Sequence, residues 1–517
     1  MPLSSKAPRA VVIGGGVGGL SAATQLAARG VSVTVLERAA ALGGKMRALS
    51  LGGVEVDSGP TVLTMRWVLD ALFSETGRDL NDYLTLRPSE LLARHAWPDG
   101  SRLDLFADLA RTVDAVREFA GPREAEGYRA YADYCEEIFQ HVEGTFLRAQ
   151  RPTLGSVIRD QGLRGLASLT RIDGTRTMWR SLERFFRDPR LLQLFGRYAT
   201  YSGSSPWRSP ATLNVIAHVE RVGVWLPVGG MIAVAKALTT LATELGVELR
   251  CGAEVREVRV ERGRAAGVTL ASGERIDADL VVFNGDAAAL TGGLLGEAAR
   301  KAWRPAVEGE RSLSALTVSA VARTEGFPLA RHTVFFSKDY AREFSQIFDD
   351  QTLPDDPTVY VCAQDRGDEG ELETQGPERL FLIVNAPARG GVRPFSLEET
   401  NRCILRTREK LSNMGLSVAW SPDCTATTTP DDFARMFPAT RGALYGPASH
   451  GMSSPLTRAG ARSSIPGMYL CGGSTHPGAG VPMAAQSGRL AAQRALEDLA
   501  STGRSLATAT PGGTSMR

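Results

Sequence analysis

Apolar residues run unbroken through Val11-Val12-Ile13, give way to glycine, and resume at helical spacing as Ala22, Ala23, Leu26 and Ala27. That switch predicts a buried strand, a tight turn and a helix. Val31-Ser32-Val33-Thr34-Val35-Leu36 alternates weakly and predicts a second strand ending at Glu37. From about 65 to 220 the apolar spacing is three and four, as in Leu69, Leu72 and Phe73 or Tyr128, Tyr131, Ala132 and Cys135, so this stretch reads as mainly helical. Within it Asp188-Pro189 supplies an N-cap and a first-turn proline, with Leu191, Leu194, Phe195 and Tyr198 on one face behind them.

From Val222 the pattern changes. Pro227-Val228-Gly229-Gly230-Met231 opens a helix, and short alternating runs between Val247 and Asn284, broken at Glu261–Arg264 and Ser272–Glu274, predict a β-meander. Leu280-Val281-Val282-Phe283 lacks alternation and predicts a buried strand rejoining a parallel sheet. Strands such as Val334–Phe336 and Thr358–Val361, with a helix around Glu398–Leu411, predict a sheet domain covering a substrate over 291–455. The predicted class is α/β: a Rossmann-like nucleotide-binding domain assembled from 1–65, 222–290 and 456–500, the helical region 66–221, the sheet domain 291–455, and a disordered tail at 501–517, rich in Ser, Thr, Gly and Ala.

The glycine turn carries the first chemistry. In Gly14-x-Gly16-x-x-Gly19, Gly14 permits the turn, Gly16 admits a pyrophosphate close to the backbone, and Gly19 lets helix and strand approach. Glu37 ends the second strand, where a carboxylate accepts from ribose hydroxyls and repels a 2'-phosphate, which favours FAD or NAD over NADP. Taken alone, Glu37 equally suits a solvated strand end. Its sequel, Leu42-Gly43-Gly44-Lys45 and Gly53-Val54-Glu55-Val56-Asp57-Ser58-Gly59-Pro60-Thr61, resembles the extended FAD fingerprint of glutathione-reductase-like and amine-oxidase-like flavoproteins. The resemblance implies that Gly44, Lys45, Pro60 and Thr61 join the cofactor site, Lys45 and Arg47 as pyrophosphate cations unless they only decorate a solvated loop.

Composition narrows the class. The 517 residues, 43% hydrophobic, suffice for a large core and roughly three domains. A net charge of +2 gives no case for nucleic acid as a partner. Cys135, Cys251, Cys362, Cys403, Cys424 and Cys471 form no C-x-x-C pair, so neither zinc nor a disulfide framework is indicated, and a reducing cytoplasm is the simplest setting. No span of about 18 apolar residues predicts a bilayer crossing. Arginines from Arg148 through Arg151, Arg159, Arg164, Arg171, Arg176, Arg180, Arg184, Arg187 and Arg190 to Arg197 outnumber Asp160, Asp173, Glu183 and Asp188. Interleaved with Met178, Trp179, Leu182, Phe185 and Phe186, they suit an amphipathic surface on anionic lipid, or a solvated helix whose apolar stripe enters the core.

Thr475-His476-Pro477-Gly478-Ala479-Gly480-Val481-Pro482 resembles the signature of the bacterial phytoene-desaturase type of carotenoid desaturase, and Phe335–Tyr340 with Leu353–Pro357 resembles that family's middle region. Tyr360–Arg366, Gly442–Gly446 and Val481-Pro482-Met483-Ala484 are most similar to the 1-hydroxycarotenoid 3,4-desaturases, also called methoxyneurosporene dehydrogenases. The resemblance implies non-covalent FAD, since no cysteine matches an attachment pattern. It also implies adenine contacts from the Val255 backbone, a flavin edge at Gly473, Val481, Pro482 and Met483, and space for a flat polyene beside Gly473, Ser474 and Gly478–Gly480. The implied reaction is that of an oxidoreductase acting on a CH–CH bond: hydride passes from the end group of an acyclic hydroxycarotenoid such as 1-hydroxyneurosporene to flavin N5, and the neighbouring carbon loses a proton. No catalytic base is assigned. His476 is the one nominee, as base or hydroxyl-binding group, set against a structural hydrogen bond shaping the Pro477–Gly480 turn. A bilayer substrate favours the lipid reading of the arginine-rich region and implies a peripheral enzyme on the cytoplasmic face of the inner or photosynthetic membrane, reoxidised by oxygen or a quinone. The competing expectations are a phytoene or neurosporene desaturase, a flavin-dependent non-redox carotenoid isomerase, a small-molecule amine oxidase and a prenyl-protein escort.

Overall fold

Arg9–Ile13 lies between two parallel neighbours, Ser32–Leu36 and Leu280–Phe283, at the centre of a five-stranded sheet. The computed structural model describes residues 7–150, 172–305, 309–367, 370–373, 375–451, 454 and 458–501. Met468–Leu470 and Glu248–Arg250 complete the sheet, again in parallel register. A parallel sheet is covered on both faces, which explains the unbroken apolar runs. Val12 and Val282 pack into the cluster beneath helix Val17–Ala27, while Val11, Ile13, Val281 and Phe283 pack under the antiparallel meander Val255–Glu261, Arg264–Leu270 and Arg275–Asp277. Helix Val481–Ser501 lies so close to Val17–Ala27 that a Cβ on Gly488 would sit 2.1 Å from Gly18 O.

The second sheet has seven strands in the order Thr425–Thr428, Ser314–Ala322, Glu378–Ala386, Val359–Ala363, His332–Phe335, Leu91–Ala96, Arg102–Phe106. Helix Leu397–Asn413, opened by a Ser396/Glu399 capping box, covers the face carrying Val359, Val361 and Leu382. The helical region covers the other face, against Phe336, Tyr360, Cys362 and Phe381.

The stretch 66–221 is therefore less uniformly helical than its spacing predicts. Leu91–Ala96 and Arg102–Phe106 form a hairpin that extends the second sheet, because the Trp97–Ser101 turn closes a tight reversal: Trp97 N–H donates to Ser101 O at 3.0 Å and Ser101 N–H to Asp99 Oδ1 at 2.9 Å. The lipid-facing expectation is corrected at Met178, Leu182 and Phe186, while Trp179 and Phe185 stay partly exposed. The first three are fully buried in the helical core, Phe186 stacked on Phe195 at 4.8 Å, so this stripe packs on protein and cannot touch a bilayer. Arg176 and Arg184 instead pair with Asp173. The residues Arg151, Arg159, Asp160, Arg164 and Arg171 of that expectation, and the tail beyond Ser501, lie outside the described residues. Phe186→Ala is expected to cost about 3–5 kcal/mol, read as a lower midpoint in denaturant, with liposome binding of the folded fraction unchanged. Loss of liposome binding without loss of stability would refute the burial argument.

Candidate cofactor and substrate site

Helix Val17–Ala27 begins at Gly16 with no side-chain cap and no acid in its first turn, so its leading N–H groups are left for a ligand and its dipole favours an anion there. Backbone crowds this end. A Cβ on Gly14 would lie 2.6 Å from Asn284 O, and one on Gly19 2.1 Å from Gly14 O. Gly44, at φ +60°, lays the following loop over the turn, where a Cβ would stand 3.2 Å from Gly16 Cα. A cradle made of backbone amides at a helix N-terminus fits the pyrophosphate of a dinucleotide.

Glu37 is 7% exposed rather than solvated. Its Oε2 accepts from Gly15 N–H and its Oε1 from Ala39 N–H, each at 2.8 Å, which fixes the carboxylate beside the glycine turn. Ala253 N–H donates to Glu37 O at 2.8 Å, bringing Val255, the buried first residue of its strand, to the same edge.

The two cations of the fingerprint take other partners. Lys45 Nζ donates to Leu444 O at 2.5 Å and lies 5.4 Å from the Phe437 ring centroid. Burial pushes its pKa down to about 8, against the attraction of Asp286. Arg47 donates to Thr428 Oγ1 at 2.9 Å and stands over Phe433, joining the hairpin Ala48–Leu51/Val54–Asp57 to the second sheet. Gly59 runs against Lys45 O, 2.1 Å from where its Cβ would be, and leads through Pro60 to Thr61. Thr61 Oγ1 accepts from the Tyr360 hydroxyl at 2.8 Å.

The C-terminal segment closes the site. Gly472 N–H donates to Ser487 Oγ at 3.2 Å. A Cβ on Gly473 would meet only Ala479 Cα, at 3.9 Å, and one on Gly478 nothing within 4 Å, so the segment is open where a flat ligand would lie. Helix Val481–Ser501 starts there with Pro482 and Met483 in its first turn and no acid among them, a second helix end available to negative charge. His476 is turned into the fold: its Nε2 is 3.1 Å from Ala149 O and its ring meets Phe146 edge-on at 4.7 Å.

Two residues that hold the site together escape a reading of the sequence. Asn284 Nδ2 donates to Gly14 O at 3.0 Å, and its Oδ1 is the atom nearest the Cβ positions of Gly18 and Gly472, at 2.7 and 2.6 Å. Its only signal is a polar residue directly after a buried strand. Arg458, 5% exposed, donates to Tyr445 O, Pro447 O and Gly473 O at 3.0–3.1 Å, binding the Tyr445–Pro447 loop to the C-terminal segment. Burial holds its pKa down at about 10. Asp286 accepts from Ala288 N–H at 2.9 Å and pairs with Arg311 at 3.1 Å, a structural role.

Comparison with known proteins places this geometry. Residues 17–496 match the family described as flavin containing amine oxidoreductase. The chain is 52% identical to a hydroxyneurosporene desaturase of Rubrivivax gelatinosus, covering 98% of this chain and 97% of the relative. It is 46% identical to a hydroxyneurosporene desaturase of Cereibacter sphaeroides, covering 96% and 99%. A solved oxidoreductase from Methanosarcina mazei, 17% identical, shares the fold with a TM-score of 0.61 over 95% of this chain and all of that one.

Proposed function

The chain belongs to the flavin-containing amine oxidoreductases and, within them, to the carotenoid desaturases, and from that premise we propose that it introduces the 3,4 double bond into 1-hydroxylated acyclic carotenoids. It is an oxidoreductase acting on CH–CH bonds, with FAD as cofactor. The observation that carries the finer reading is the near-full-length likeness to hydroxyneurosporene desaturases.

Bound FAD supplies the two-electron acceptor that a desaturation needs. The chain's own residues do the rest. The Gly14–Gly19 turn and the helix behind it hold the pyrophosphate, Glu37 the ribose, the Val255 backbone the adenine, and the helix start at Val481–Met483 the flavin edge. The open stretch at Gly473 and Gly478 leaves room beside the flavin edge for a flat polyene to be aligned. Such a substrate dissolves in lipid, so the enzyme works peripherally at a membrane surface and passes its electrons to oxygen or a quinone. Among the described residues no helix is long and apolar enough to cross a membrane.

FAD-reconstituted protein in liposomes, given 1-hydroxyneurosporene and phytoene separately, tests the reading. We expect loss of two hydrogens and a red-shifted spectrum with the hydroxylated substrate alone. Conversion of phytoene would reassign the protein to the general desaturases, and a spectral change without mass loss to the isomerases.

A further inference from the structure

One charged side chain stands between the second sheet and the helical region. Arg197 opens the short helix Arg197–Ser202, with its Cζ 5.6 Å from the ring centroid of Tyr201 and 5.6 Å from that of Tyr360. Among the described residues its guanidinium forms no ion pair. Glu220, the carboxylate whose field favours its charge, already accepts the hydroxyls of Tyr198 and Tyr201.

Two neutral groups near it are each short of a partner. The Tyr340 hydroxyl and His332 Nε2 are buried without a hydrogen bond, and the His332 ring stacks on Tyr360, the ring over which Arg197 lies. His332 Nδ1 is 2.7 Å from the Tyr360 hydroxyl, which donates to Thr61 Oγ1. A phenol has one proton, so Nδ1 carries the imidazole hydrogen and Nε2 is left as a bare acceptor. A partly buried guanidinium that has only the Tyr201 hydroxyl and no carboxylate as partner among the described residues, close to a buried unpaired imidazole nitrogen, keeps donors available to a ligand.

Both halves of the cofactor site flank Arg197. Tyr360 is bonded to Thr61 of the N-terminal segment. Tyr445, on which the Arg197 charge acts, has its carbonyl held by Arg458, which binds Gly473 O on the C-terminal segment.

Resting on the desaturase reading above, we propose that Arg197 is the specificity-determining residue that binds the tertiary C1 hydroxyl of the carotenoid end group. The reaction demands an anchor in this place. The hydroxyl oxygen is three bonds from C3, so whatever holds it must adjoin the cofactor segments. The groups awaiting partners are a phenol and a neutral imidazole, which suit an alcohol that both donates and accepts; an anion would find no second use for them.

The test compares wild type, Arg197→Met and Arg197→Gln on a 1-hydroxylated acyclic carotenoid and on the same carotenoid lacking the hydroxyl, with flavin content read from absorbance. Wild type is expected to prefer the hydroxylated substrate by on the order of 100-fold or more in kcat/KM. Arg197→Met is expected to lose roughly 10- to 100-fold of that preference, through KM for the hydroxylated substrate, with flavin content and turnover of the other substrate retained. Arg197→Gln keeps amide donors on a shorter side chain and is expected to retain part of the preference. Preference unchanged in Arg197→Met, or equal loss on both substrates in Arg197→Gln with flavin bound, overturns the assignment to Arg197. If Arg197→Met fails to fold, the Gln variant alone decides. A wild type that converts neither substrate overturns the desaturase reading itself.

Discussion

Gly19→Ala is expected to purify folded but nearly free of flavin. The added Cβ would stand 2.1 Å from Gly14 O and 2.9 Å from Asn284 Nδ2, and neither atom can yield alone because they are hydrogen-bonded to each other. Relief requires the first turn of helix Val17–Ala27 to move off the sheet. That turn bears the amides meant for the pyrophosphate, and a displacement of about 1 Å is enough to weaken such a site on the order of 100-fold. The helix itself does not suffer, since alanine is the better helix former by about 1 kcal/mol. Flavin absorbance per protein after gel filtration, with circular dichroism as the folding control, checks this. Full flavin retention would show that the glycine is not required by the close approach described here.

Arg458→Met is expected to lower stability by about 3–5 kcal/mol, among the largest effects available to a single side chain outside the central core. Among the described residues the guanidinium is the only donor on the carbonyls of Tyr445, Pro447 and Gly473, and removing it leaves these half-buried groups without one. The loop has little room to adapt: Gly446 sits at φ +76°, with its Cβ position 2.9 Å from Ser474 Cα. Arg458→Lys is expected to recover only a minor part, because one ammonium cannot reproduce the planar fork. Chemical denaturation with and without added FAD measures both. The flavin-bound form should show the greater loss, since the loop borders Gly473. An equal loss in both forms would confine Arg458 to general stability.

How far the sequence reached depended on the range of the interactions involved. The strand, glycine turn and helix over Arg9–Ala27 are dictated by sterics within a few residues, and so are the Asp188-Pro189 helix start and the helix around Glu398–Leu411. The spaced fingerprints at Gly14–Glu37 and Gly472–Pro482 indicated a split cofactor site because each is a local backbone shape, whatever lies between them. Amphipathic spacing established that Met178, Leu182 and Phe186 share an apolar face, but the same period serves a protein core and a lipid surface. Only the packing against Tyr131 and Phe195 decided between them. Lys45 and Arg47 were identifiable as cations near a nucleotide. Their partners, Leu444 and Thr428, lie nearly four hundred positions along the chain, separations of 399 and 381 residues. The same holds for Asn284, Arg458 and Arg197, single polar residues with no motif around them. What such a residue does is set by which buried groups would otherwise lack a partner, and that is decided only when distant segments close on one another and exclude water.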